Sequence, residues 1–221
     1  MASGVVHRLS FAVRFLDHFT GEPVEAELPV RLAGSLVRPV PRVDRRGRRH
    51  PDGTYRFVNT PPGRVEVLWR APFAASHAGW TSWSAPTRIL VPPLRPEQPV
   101  DITLWPSSDA AAPAGRTAVY GNVVGGAAGL EVRIGGDPAN APHFTHTDGS
   151  GAFLYFTPDR PPANDTSGLV KVKVLLRDRA GAVVAIKHVR STPPPPPNQQ
   201  LAADEFLTPV GAASRITVTP A

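Results

Sequence analysis

The densest run of chemically capable side chains lies between Arg38 and Arg49. Arg38, Arg42, Arg45, Arg46, Arg48 and Arg49 stand there against a single acid, Asp44, so this window carries +5 of a formal +6. A guanidinium presents a rigid fork of donors that fits carboxylate and phosphate alike. No aromatic residue interrupts the run, which argues against single-stranded nucleic acid, where bases need stacking platforms. The expected partner is therefore an acidic protein surface met by Arg42, Arg45, Arg46, Arg48 and Arg49, although a run of like charge is also how a solvated loop looks. A second concentration is "FAASHAGWTSWSAP", in which Trp80 and Trp83 could stack on sugar rings or anchor a protein interface.

Other arrangements that could do chemistry read as geometry instead. His143 and His146 form H-x-x-H, but three residues apart on a strand they point to opposite faces and cannot share a metal. The "TDGSG" at 147–151 lacks the alternating oxygen ligands and closing Glu of a calcium loop and reads as a bulged turn. The chain has no Cys, which removes thiol nucleophiles, disulfides and thiolate zinc sites. No G-x-S-x-G, phosphate-cradling glycine loop with Lys, or H-E-x-x-H occurs. The expectation is a protein that is not an enzyme and has no cofactor and no metal site.

The elements that would position these residues are short strands. With 27 Pro and 19 Gly in 221 residues, turns are frequent and long helices disfavoured. Phe11, Val13 and Phe15 alternate with Ala12, Arg14 and Leu16. Leu28, Val30 and Leu32, then Tyr55 and Phe57, then Val65 and Val67, and later Val100, Ile102 and Leu104, repeat that period of two. Thr20-Gly21, Asp52-Gly53 and Pro61-Pro62-Gly63 supply the turns. After a small, polar stretch the grammar returns: "AVYGNVV", "LEVRI", a turn at Asp148-Gly149, "GLVKVKVLLRD", "AVVAIKHV" and "SRITVTP". Gly53-x-Tyr55-x-Phe57 in the first half answers Gly151-x-Phe153-x-Tyr155 in the second. This places a first domain at 1–106, a linker at 107–117 and a second domain at 118–221 with a Pro-rich insertion at 192–200. "LAADEFL" after the prolines suggests one or two helical turns, and the tail beyond Pro197 either completes the second domain or forms an arm for a partner's sheet edge.

In order, Asp17, Thr20, Gly21, Pro23 and Val24, then Asp52 to Phe57, then Pro61 to Val67 resemble the D-x-x-T-G-x-P-V, D-G-x-Y-x-F and P-P-G-x-V-x-V turns of the carboxypeptidase regulatory-like domain, within the transthyretin-like group. That resemblance implies an all-β chain of two tandem seven-stranded immunoglobulin-like (prealbumin-like) β-sandwiches. It implies a fold and not an activity. The C-terminal Y-R-G-S of the group's hydrolases is replaced by "SRITVTPA". The lysine of adhesin-type isopeptide bonds has no counterpart in the first half, and Lys171 and Lys173 fall on a late strand. The N-terminus has no uninterrupted apolar run, so a cytoplasmic protein without a membrane span is expected. The functional expectation is a non-catalytic structural or adaptor subunit binding other proteins, as accessory modules of phage-tail-like and contractile injection particles do. The alternative is a carbohydrate-binding module using the tryptophans.

Overall fold

Phe11, Val13 and Phe15, alternating with less apolar neighbours, become strand β1 (Leu9–Asp17), and all three are fully buried. The computed structural model describes residues 8–24, 28–41, 53–69, 80–81, 87–91, 93, 98–112, 114–126, 128–157, 168–192, 194–197 and 199–221. Among them the chain is all-β, with seventeen strands and no helix. It divides into two compact units, Met1–Trp105 and Pro106–Ala221. The first holds fourteen basic residues against nine acidic and the second ten against nine, so the positive excess belongs almost wholly to the first.

In the first unit β1 is followed by β2 (Val30–Leu32), β3 (Val40–Pro41), β4 (Thr54–Val58), β5 (Gly63–Trp69), β6 (Trp80–Thr81), β7 (Thr87–Val91) and β8 (Val100–Pro106). One sheet runs β3-β4-β1-β8-β6 and the other β2-β5-β7. Strand β1 is antiparallel to β4 and parallel to β8. The alternating apolar positions of both sheets share one core, in which Phe11 stacks on Phe57 at 4.7 Å and Phe15 meets Tyr55 edge-on at 5.4 Å. Each such ring contributes about 1.5–3 kcal/mol by leaving water. Tyr55 also links the two sheets, because its hydroxyl accepts the backbone N–H of Leu28 at 2.8 Å just before β2.

The second unit repeats this plan with β9 (Ala118–Val123), β10 (Glu131–Gly135), β11 (Thr145–His146), β12 (Ala152–Phe156), β13 (Leu169–Arg177), β14 (Val183–Val184), β15 (Ile186–Thr192), β16 (Glu205–Pro209) and β17 (Ala213–Pro220). Its sheets are β12-β9-β17-β15 and β11-β10-β13-β14, with β16 also on β13. Six strands correspond between the units. The order β4-β1-β8, with β1 parallel to β8, matches β12-β9-β17, with β9 parallel to β17; β2-β5-β7 matches β10-β13-β16. Even the register agrees: Val13 faces Tyr55 and Val100, while Gly121 faces Phe153 and Ile216. A glycine replaces valine in the second unit because the Phe153 ring lies over it; a Cβ built on Gly121 would fall 2.0 Å from Phe153 Cζ.

The turns follow from local chemistry. Asp148 and Asp178 each accept, through Oδ1, the N–H groups two and four residues on, at 2.8–3.0 Å. Gly151 and Gly181, at φ 81° and 84°, take the left-handed residue that each turn needs. Asn59 serves the β4–β5 turn at φ 51°, its side-chain oxygen accepting the Arg8 N–H at 3.0 Å.

Three expectations change, and one left open is settled. The described residues hold eight strands in the first unit and nine in the second, not seven each, because two-residue strands extend the sheet edges. "LAADEFL" is not helical: Glu205 closes a turn by accepting the Ala202 N–H at 3.0 Å, and Phe206 and Leu207 then pair with β13. Sheet pairing here outweighs helix propensity. His143 lies in a loop and only His146 in a strand. The chain beyond Pro197 is no free arm, since β17 pairs with both β9 and β15 and buries Ile216 and Val218. The stretch 107–117 is tied to the second unit: Ser108 Oγ donates to Asp148 at 2.6 Å, the Tyr120 hydroxyl donates to the Ala110 carbonyl, and Ala112 N–H donates to that hydroxyl.

Candidate functional site

The arginine-rich run starts from a defined point on the first unit. Strand β2 ends in a turn in which the Ala33 N–H donates to the Glu66 carbonyl at 2.8 Å, Gly34 takes φ 63°, and Ser35 Oγ accepts the Val37 N–H at 3.1 Å. The chain leaves the β2-β5-β7 sheet there and crosses to the other, joining it as β3, where Val40 pairs with Arg56 and Pro41 with Tyr55. Arg38 sits on this crossover. The 42–52 segment lies in sequence between Pro41, the end of edge strand β3, and Gly53, which precedes its neighbour β4.

Beside the crossover is a recess of about 400 Å3, lined among the described residues by Pro29, Val30, Arg31, Arg38, Leu68 and Trp69. The β2–β5 pairing builds it by setting Val30 opposite Trp69 and Arg31 opposite Leu68. Alternation along β2 turns Val30 and Leu32 into the core and leaves Arg31 exposed. Trp69, half-buried, packs on the core edge-on to Phe15 at 5.5 Å. The lining thus combines Val30, Leu68 and Trp69 with two arginines, Arg31 and Arg38.

Among the described residues the side chains of Arg31, Arg38, Arg56 and Arg64 have no ion-pair or hydrogen-bond partner. Other cations are neutralised in place: Arg14 forks onto Asp101 at 2.8 and 2.9 Å, Arg133 meets Glu131 at 2.6 Å, and Lys171 and Lys173 flank Glu205 at 3.5 and 3.8 Å. A rigid indole with two unneutralised planar cations beside it suits a carboxylate-bearing chain.

Of the residues singled out in the sequence, Arg42, Arg45, Arg46, Arg48, Arg49 and Trp83 lie outside the described residues. Trp80 opens β6, which pairs on the β8 edge, and its side chain too lies outside them. The recess adds Arg31 and Trp69, which sequence reasoning missed. An arginine between two core residues and a tryptophan at a strand end carry no signal of their own; only the pairing of β2 with β5 brings them together. Among the described residues no group of three or more His, Asp or Glu is placed to hold a metal ion, and no helix is long and apolar enough to cross a membrane.

No protein-family model matches the chain, and no curated protein matches it either. Among solved structures it is similar to the Bacillus anthracis TIE protein, at 11% identity and a TM-score of 0.30, covering 96% of this chain and 34% of that one. It is also similar to the major pilin T-13 of Streptococcus pyogenes, at 10% identity and a TM-score of 0.22, covering 99% of both chains. The T3.2 major pilin of the same organism overlaps at 11% identity and a TM-score of 0.21, covering 96% of both. The chain spans about a third of the TIE protein. Overlaps of this quality assign no family.

Proposed function

We propose that this chain is a non-catalytic structural or adaptor subunit that holds an acidic protein partner within a larger assembly, of the phage-tail-like or contractile injection kind, through its first unit. On this proposal the two units are tandem prealbumin-like β-sandwiches of the carboxypeptidase regulatory-like type. The observation that carries the reading is the recess itself: Arg31 and Arg38, without an acidic partner among the described residues, line it together with Trp69. One exposed ion pair contributes at most about 1 kcal/mol. The positive excess of the first unit also steers an acidic partner toward it, and the half-buried indole supplies an apolar anchor.

The test is affinity capture from native extract with the full chain. A stoichiometric acidic partner is expected, lost when Arg31 and Arg38 are both changed to Ala and retained when Arg56 and Arg64 are changed instead. Capture that is identical for both double variants would remove the recess from the account.

A further inference from the structure

Charge is sorted within the second unit. The four strands of the sheet β12-β9-β17-β15 contain no Asp or Glu and carry Lys187, Arg190 and Arg215, whereas Glu131 and Glu205 lie in strands of the other sheet. Alternation along β15 and β17 turns Ser191, Ile216 and Val218 inward and leaves His188, Arg190, Thr192, Arg215 and Thr217 exposed. The β15–β17 register arranges them as a lattice: Thr192 stands opposite Arg215, Arg190 opposite Thr217 and His188 opposite Thr219. Each basic residue thus has a threonine as its cross-strand neighbour, and Arg190 lies diagonally from Arg215, roughly 7–8 Å away. Lys187, also exposed, occupies the irregularity between Ile186 and His188 on the edge strand.

Among the described residues the side chains of Lys187, Arg190 and Arg215 have no acidic partner. Arg215 instead lies over the Tyr120 ring, 5.5 Å from its centroid, and the Thr219 hydroxyl is 3.4 Å from His188 Nε2. Three kinds of polyanion could meet such a patch. The bases of a single-stranded nucleic acid need an open aromatic face, but Tyr120 is half-buried beneath Arg215, its hydroxyl bonded to Ala110 and Ala112. An extended acidic peptide gains affinity by main-chain pairing along a sheet edge. These groups stand instead on a sheet face, out of which the backbone does not bond, and the bulge and charge at Lys187 guard the edge. A polysaccharide needs neither device. Its carboxylates or sulfates accept from guanidinium groups, and its hydroxyls both donate to and accept from threonine.

We propose that the outer face of β15 and β17 binds an anionic polysaccharide, its carboxylate or sulfate groups on Arg190 and Arg215 and its hydroxyls on Thr192 and Thr217. The distribution of lysine supplies the test. The chain has three, Lys171, Lys173 and Lys187, and only Lys187 belongs to this sheet. Acetylation of the full chain, read residue by residue by mass spectrometry with and without a heparin dodecasaccharide, is therefore blind to the arginine run of the first unit. At about ten times its dissociation constant, heparin should slow acetylation of Lys187 about tenfold and leave Lys171 and Lys173 unchanged. A dodecaglutamate peptide and an oligothymidylate at the same charge concentration should protect Lys187 far less. The Arg190→Ala, Arg215→Ala double variant should lose the heparin protection; should it not fold, the three probes on the wild type decide the matter alone. Absence of protection, equal protection of all three lysines, protection by either comparator as strong as by heparin, or its persistence in the folded double variant overturns the proposal.

Discussion

Gly121 offers the sharpest test of how the second unit is packed. Its backbone is not in the left-handed region, so alanine is conformationally allowed, and in an open strand it would stabilise by about 0.5–1 kcal/mol. Here the added Cβ would meet three atoms of the Phe153 ring at 2.0, 2.3 and 2.5 Å. Phe153 is 1% exposed, so the ring has nowhere to retreat without disturbing the core. Overpacking of this kind costs about 1–3 kcal/mol, and full loss of the ring's packing about 3–5 kcal/mol. Gly121→Ala should therefore destabilise by about 2 kcal/mol or more, and Phe153→Leu in the same chain should recover at least about 1 kcal/mol of that as a coupling energy. Gly136→Ala, which meets nothing within 4 Å, is the control and should be neutral or slightly stabilising. The measurement is urea unfolding followed by far-UV circular dichroism, since all four tryptophans, residues 69, 80, 83 and 105, belong to the first unit. A Gly121→Ala chain that unfolds at the same urea concentration as wild type, or higher, refutes the reasoning.

Asp148 predicts a pH dependence. Burial raises its pKa, but bonds from the Ser108 and Ser150 hydroxyls and from the Ser150 and Ala152 N–H groups outweigh that and hold it below the ordinary value. A folded pKa below the unfolded one gives stability that is present above the unfolded pKa, about 3.9, and is lost as pH falls through the folded one. Asp148→Asn should flatten that acid-side loss in urea midpoints measured from pH 6 to pH 2; an unchanged profile would contradict it. At Asn59, replacement by Ala removes both the tolerance for φ 51° and the bond to Arg8, and should cost about 1–2 kcal/mol, whereas Gly should cost less. Chemical denaturation monitored by tryptophan emission reads this, and Ala and Gly variants of equal stability would contradict it.

Most of the frame was legible because alternation is a direct record of burial. The inward sets Phe11-Val13-Phe15, Leu28-Val30-Leu32, Tyr55-Phe57 and Ile102-Leu104 are buried as their spacing required. Two kinds of element escaped. Strands of two residues, such as β3 and β14, are too short to show a period and exist only as additions to a neighbour's edge. Strand β16 follows helix-forming residues, and its identity comes from β13, far away in sequence. The candidate site escaped for the same reason: Arg31 and Trp69 are brought together by β2–β5 pairing, whereas the arginine run declared itself by composition alone.

The proposed seat of an acidic partner in the recess of the first unit can be probed by titrating the full chain with a dodecaglutamate peptide at low ionic strength. Tryptophan emission should change saturably, and the affinity should fall steeply as salt shortens the screening length. The change should vanish in the Arg31→Ala, Arg38→Ala double variant and persist in the charge-matched Arg56→Ala, Arg64→Ala one. Failure to bind at low salt, or equal weakening in the two double variants, would contradict it.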